Sequence, residues 1–174
     1  MAESTPVFRH LIADYLNVGT TEAPDFQVMQ TFENIDENPN AQTVEKHYTA
    51  NKSASTITTG YKTQFPFSTD LYINDAVVYY IRDIAEEQKL GEQTDYIRVR
   101  LYEPIADKEN TFYARKFRVG FEISSVSGVG GEIAAIAGNL NTLSDVVVGE
   151  FNTATRTFTP ATTISEEGSR YGEI

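Results

Sequence analysis

The sequence predicts a mainly β fold: two packed antiparallel sheets, a β-sandwich or partial barrel, with one flanking α-helix. Three observations predict it. Short segments rich in Thr, Val, Ile, Phe and Tyr alternate with Gly, Ser, Thr and Asn turn residues. A single stretch, Asn74 to Lys89, carries apolar residues at helical spacing. The chain has 174 residues, 40% of them apolar, with 10 Phe and 10 Tyr, which suffices for one core at the size of an ordinary domain.

Taken in order, residues 1–20 mix apolar and polar positions without a period and read as an N-terminal arm. Phe26 to Phe32 is the first predicted strand, with Phe26, Val28, Gln30 and Phe32 alternating against Gln27, Met29 and Thr31. The polar, proline-bearing run Glu33–Asn40 reads as loop, and residues 41–52 stay polar. Ser53 to Phe65 is extended and rich in Thr, Ile and Tyr. In the helix, Val77, Val78, Ile81, Ile84 and Ala85 form the buried stripe, and Arg82, Asp83, Glu86, Glu87 and Lys89 the solvated one. Asn74 is the predicted N-cap and Gly91 the predicted stop.

After Gly91 the period returns to two. Ile97, Val99 and Leu101 alternate with Arg98, Arg100 and Tyr102. Phe112–Ser125 is the longest predicted strand, and the turn signal Ser127-Gly128-Val129-Gly130-Gly131 joins it to Glu132–Leu140. Val146–Phe151 and Thr155–Thr159 form a last short pair, and residues 161–174 read as a loose tail. The whole of 1–174 therefore reads as one domain with its core at about 26–160.

Composition excludes several function classes. Fourteen Lys and Arg against 25 Asp and Glu leave a net charge of −11, so gripping a nucleic-acid backbone by counterion release is not this chain's chemistry. Without cysteine there are no disulfides, thiolate metal sites or cysteine nucleophiles. No apolar run reaches the roughly 20 residues that span a bilayer. The start, Met1-Ala2-Glu3-Ser4-Thr5-Pro6, carries no secretory pattern, so the protein is expected to be made inside a cell and to need no membrane.

The residues give no catalytic, cofactor or metal site. His10 and His47 lie in polar contexts outside any hydrolase signature, and no Gly-x-Ser-x-Gly occurs. Acid pairs such as Asp36/Glu37, Glu86/Glu87 and Glu166/Glu167 read as solvated neighbours. Asp36-Glu37-Asn38-Pro39-Asn40 begins like a calcium loop but has Ala41 in the glycine position and His47 in the glutamate position. Charge is unevenly spread. Arg98, Arg100, Lys108, Arg115, Lys116 and Arg118 face three acids within residues 98–118, while residues 1–50 hold eight acids against two cations. Two readings stand for Arg98, Arg100, Arg115, Lys116 and Arg118: ordinary strand outer faces, or a basic subunit interface that meets an acidic loop on another copy.

The order of elements also resembles a known family. A strand leads to a polar loop with Asn38-Pro39-Asn40-Ala41-Gln42-Thr43 and Glu45-Lys46-His47-Tyr48. A Ser/Thr-rich strand ends in Thr59-Gly60-Tyr61-Lys62, then come Asp70-Leu71-Tyr72, one helix, a charged strand and a long hairpin. Gly149-Glu150-Phe151-Asn152 and Thr157-Phe158-Thr159 close the pattern. Over about 26–160 this succession resembles the major tail protein, or tail tube protein, of long-tailed bacteriophages of Gram-positive hosts.

The resemblance implies a structural, non-enzymatic virion protein made in the host cytoplasm. Six copies would complete a β-barrel ring, and stacked rings would form a tube that conducts genomic DNA. Its partners would be further copies of itself, a tape measure protein, and tail terminator and initiator proteins, with double-stranded DNA passing without specific binding. The long loop at about 34–54, with Glu37, Asn38, Pro39, Glu45, Lys46 and His47, would reach the neighbouring ring, and the terminal arms would add ring-to-ring contacts. A conduit should repel phosphates, so acids on polar strand faces, Glu122 and Glu132 and then Glu33, are the candidate lumen residues, set against the plain reading that they serve solubility. The alternatives are the inner tube of a contractile tail or bacteriocin-like particle, and a small carbohydrate-binding β-sandwich, which the absence of tryptophan disfavours.

Overall fold

The computed structural model describes residues 3–161. They form eleven strands and one α-helix in two compact units, the first built from described parts of Met1–Gln30, Thr94–Arg118 and Ser144–Ile174, the second from Thr31–Gln93 and Val119–Leu143. The predicted tail at 161–174 lies, apart from Ala161, outside the described residues.

In the first unit, β1 (Ile12–Asn17), β2 (Phe26–Val28), β7 (Gln93–Pro104) and the first part of β8 (Thr111–Ser127) lie in the order β2-β1-β7-β8. β10 (Val147–Asn152) pairs with β8 from Lys116 to Thr111 and carries β11 (Thr157–Pro160) on its other edge. The β1–β2, β1–β7, β8–β10 and β10–β11 pairings are antiparallel. On one face Tyr15, Phe26, Ile97, Val99, Ala114 and Phe151 form the core, with Phe151 against Tyr15 at 4.6 Å and edge-on to Phe26 at 6.0 Å.

The predicted N-terminal arm is thus shorter than residues 1–20. Ile12–Asn17 is a strand between two others, and Leu16 and Asn17 are buried. Asn17 holds the following loop: its Oδ1 accepts from Gly19 N and Asp25 N, both at 2.9 Å. Period-two reading fails for β1 because both of its faces are covered, Tyr15 on one and Leu16 on the other.

In the second unit, the rest of β8 pairs with β9 (Ala135–Thr142), β9 with β6 (Gln64–Asp70), and β6 with β3 (Phe32–Ile35). Odd-numbered Phe65, Phe67 and Thr69 meet even-numbered Ile136 and Leu140 on one buried face, as the antiparallel register demands. The helix α1 (Ala76–Glu86) covers that face with Val77, Val78, Ile81 and Ile84, and Tyr80 lies edge-on to Phe121 at 5.8 Å. Ala85, predicted in the stripe, is only half-buried.

Asp75, not Asn74, caps the helix: its Oδ1 accepts from Val77 N at 3.0 Å and Val78 N at 3.1 Å. Its Oδ2 accepts from Thr31 Oγ1 at 3.1 Å, which ties the helix start to the chain before β3. Asn74 takes the left-handed conformation instead, with φ 66°. The helix stops three residues before Gly91, at Gln88 with φ 51°, where Lys89 N reaches Ile84 O at 3.1 Å in a Schellman closure.

Pro66 sits inside β6, where sequence rules disfavour it. Its carbonyl accepts from Asp36 N at 3.0 Å, beyond the end of β3, so the missing N–H points to that same side and costs the β9 ladder nothing. Residues 41–61, expected to begin as loop, are a two-stranded hairpin of their own: β4 (Ala41–Lys46) and β5 (Ser55–Tyr61).

Candidate assembly surfaces

Three surfaces concern the residues singled out by the sequence. The first is the outward face of β6, β9 and the second half of β8. Register places Gln64, Pro66, Ser68 and Asp70 beside Asn141, Asn139, Ala137 and Ala135, with Gly120 and Glu122 next to them. Gln64 Nε2 donates to Asn141 Oδ1 at 2.9 Å, and Asn141 Nδ2 donates to Glu122 Oε2 at 2.8 Å, a polar ladder across three strands. Asp70 and Glu122 are the charges on this face, and no Lys or Arg stands among these described positions. Gly138 makes the close approach of β8 and β9 possible: a Cβ there would lie 2.4 Å from Glu122 O.

Of the three predicted lumen acids, only Glu122 is on this face. Glu132 lies in the turn between β8 and β9, because strand β9 starts three residues later than predicted. Glu33 is exposed on edge strand β3, at the bulge between Phe32 and Asn34.

The second surface is the β4–β5 arm. Its base is tied down by reciprocal bonds, Asn38 N to Gln64 O at 2.9 Å and Gln64 N to Asn38 O at 3.0 Å. Asn40, at φ 47°, donates from Nδ2 to Lys62 O at 3.1 Å. Beyond that point β4 is exposed throughout and β5 nearly so. The predicted loop residues divide along it. Glu37, Asn38 and Pro39 belong to the base, Glu45 and Lys46 to β4, and His47 to the turn, its ring nitrogen 3.0 Å from Asn51 O. The charges of the expected acidic loop divide along the arm: Asp36 and Glu37 lie at the base, Glu45 and Lys46 side by side in β4, and Lys52 in the turn.

The third is the predicted basic interface, from which the structure removes Arg98. Arg98 is only 6% exposed and its Nε lies 3.3 Å from Asp14 Oδ1, so it is an interior ion-pair residue and no surface cation. Asp14, 5% exposed, also receives Arg9 Nη2 at 2.5 Å and the Tyr96 hydroxyl. Burial pushes the Tyr96 phenol well above its ordinary range, and the adjacent Asp14 carboxylate pushes the same way. The others turn to partners in their own chain. Arg118 pairs with Asp95 at 3.1 Å, Arg100 with Glu103 at 3.3 Å and with the Tyr113 ring, Arg115 lies over Phe117, and Lys116 lies over Phe158. The signal that could have foretold this is the central place of Arg98 in a strand with apolar neighbours Ile97 and Val99.

Among the described residues no group of three or more His, Asp or Glu converges to hold a metal ion, and no helix is long and apolar enough to cross a membrane.

These features define an antiparallel β protein with long paired strands, one helix on the covered face of the second unit, and a projecting hairpin. Known structures place it more closely. The chain is similar in fold to the SPP1 tail tube, with TM-score 0.65, 12% identity, and coverage of 82% of this chain and 78% of that one. It is also similar to the tail of an empty gene transfer agent particle computed with helical refinement in C6 symmetry, with TM-score 0.57, 10% identity, and coverage of 81% and 97%. A third likeness is to the sheath/tube terminator structure of an extracellular contractile injection system, with TM-score 0.56, 11% identity, and coverage of 84% and 99%. No protein-family model and no curated protein matches the sequence.

Proposed function

We propose that this protein is a structural, non-enzymatic subunit that assembles with its own copies into stacked hexameric rings, forming the tail tube of a phage-like particle that passes double-stranded DNA. The observation that carries the reading is the outward face of β6, β9 and β8 from Gly120 on, which is polar, helix-free and without a cation, while Arg118 just before it in β8 is paired with Asp95. A tube wall that let DNA pass should offer phosphates no Lys or Arg, and this face carries Asp70 and Glu122 instead. In this reading both units, β1 included, make up the ring-forming subunit, and this face lines the bore. Closing sheets between copies would also satisfy the open edges of β2, β3 and β11.

The particle is a virion tail, built in the cytoplasm of a host that we take to be Gram-positive. Other partners would be a tape measure protein and terminator or initiator proteins. The fold likeness to a contractile injection system supports a second reading, the inner tube of a contractile tail. A sheath gene beside this one would favour that alternative, and a tape-measure gene without a sheath the flexible tail.

The test is a structure of the purified protein after assembly. Rings of six with Glu122 toward the bore are expected. A bore lined by Lys and Arg, or a protein monomeric at every concentration, would refute the proposal.

A further inference from the structure

Two solvent-facing apolar surfaces sit at opposite ends of the second unit's sheet. The arm leaves the sheet at Gln64, which is paired with Asn141. The other end of the same strands is Asp70, paired with Ala135, and Leu71 N donates to Ala134 O at 2.7 Å just beyond. Six strand steps separate the ends, or about 20 Å. At the far end Ile73 is 84% exposed, Val129 65% and Ile133 59%, with Tyr72 and Val126 also exposed. On the arm Val44 stands directly opposite Ile57, and both are exposed. Nothing in the sequence calls for apolar residues at these positions if both surfaces face water.

Charge points the same way. Lys46 lies two residues from Val44 on the same arm face, Glu45 between them belongs to the opposite face, and Lys52 is in the turn. The far end has Asp70 and Glu132 and no Lys or Arg in 70–73 or 126–135. A hairpin with both strands exposed is marginal by itself, so it needs a partner surface to become well ordered. Two different patches at opposite ends of one chain give a head-to-tail contact that repeats without closing.

We propose that the Val44/Ile57 face of the arm seats on the Ile73/Val129/Ile133 end of the sheet in the next copy along the stack, with Lys46 beside Glu132 or Asp70. This rests on the tube reading above and names the receptor for the arm. The contact is apolar at its centre and electrostatic at its rim, so salt weakens it only partly.

The natural absence of cysteine makes the test direct. The double variant Val44→Cys/Ile133→Cys, assembled and then oxidised, is expected to give a covalent ladder well beyond the dimer on a non-reducing gel, while each single variant stops at the dimer. In parallel, Ile73→Asp/Ile133→Asp is expected to keep the wild-type circular dichroism and the ring diameter, while mean tube length in micrographs falls about tenfold or more, since a charge buried in an apolar contact is strongly disfavoured. Wild-type-length tubes from the Asp variant, or tubes of the Cys variant without a ladder, would overturn this proposal alone. A wild-type protein that never forms rings or tubes would overturn the tube reading and this contact with it.

Discussion

Replacing Asp14 by alanine should cost far more than replacing Arg9, the half-exposed cation of the same cluster. Asp14 and Arg98 are both nearly inaccessible to water, 5% and 6% exposed, and Asp14 also accepts from the Tyr96 hydroxyl. Removing one member of a buried pair costs about 3–5 kcal/mol, because the remaining charge keeps its desolvation penalty and loses its counter-ion. Arg9 is different: its side chain is half exposed, so its ion pair with Asp14, though 2.5 Å long, is worth only about 0–1 kcal/mol. After Arg9→Ala the Asp14–Arg98 pair remains neutral and hydrogen-bonded to Tyr96. Against a total stability of about 5–15 kcal/mol, Asp14→Ala removes a large fraction and Arg9→Ala a small one. Urea denaturation read by tyrosine fluorescence suits the chain, which has 10 Tyr and no Trp. Equal losses for the two variants, or a loss below about 1 kcal/mol for Asp14→Ala, would refute the assignment of a buried, self-sufficient pair.

Other consequences follow from the same reasoning. Tyr96 keeps its proton in the folded state while tyrosine in the unfolded chain ionises near pH 10, so stability is fully present below that pH and falls above it, by up to about 1.4 kcal/mol per pH unit. Urea midpoints between pH 9 and 11 should show this slope, and Tyr96→Phe should flatten it. Asp75→Ala loses the cap on Val77 and Val78 and the bond from Thr31, for about 1–2 kcal/mol in the same unfolding assay. Gly138→Ala puts a Cβ 2.4 Å from Glu122 O and should leave little folded protein, whereas Gly60→Ala, with nothing within 4 Å, should be near neutral by thermal melting. Gln88→Gly relieves a left-handed φ of 51° at the helix stop and should add about 0.5–1 kcal/mol to the unfolding free energy.

Legibility in the sequence varied with the burial of each face. The mainly β class, the antiparallel pairing, the one helix and the β8–β9 and β10–β11 hairpins were readable because one face is wet and the other dry. β1 was not, since a strand covered on both faces around a paired Asp14 has no alternation to find. β4 escaped for the opposite reason: with both faces exposed, Val44 is its one large apolar residue, and its extended form rests on pairing with the Thr-rich β5. Pro66 disguised a strand that tolerates it only because the residue faces past the end of β3.

The candidate surfaces divide in the same manner. Glu122 lies on the polar face of β8 that the alternation of its strand foretells, and Glu132 falls in the turn because that turn is longer than its glycines suggested. Within the basic run between 98 and 118, Arg98 read as a surface cation because linear charge says nothing about which partner waits across the sheet. Register alone brings Asp14 opposite Arg98.

Electron cryo-microscopy of the purified, assembled protein tests the central claim most directly. Six copies per ring, with Gln64, Asn141 and Glu122 facing a bore free of Lys and Arg, is the predicted result. Rings that turn this face outward would contradict the account, as would particles that stay single at every protein concentration.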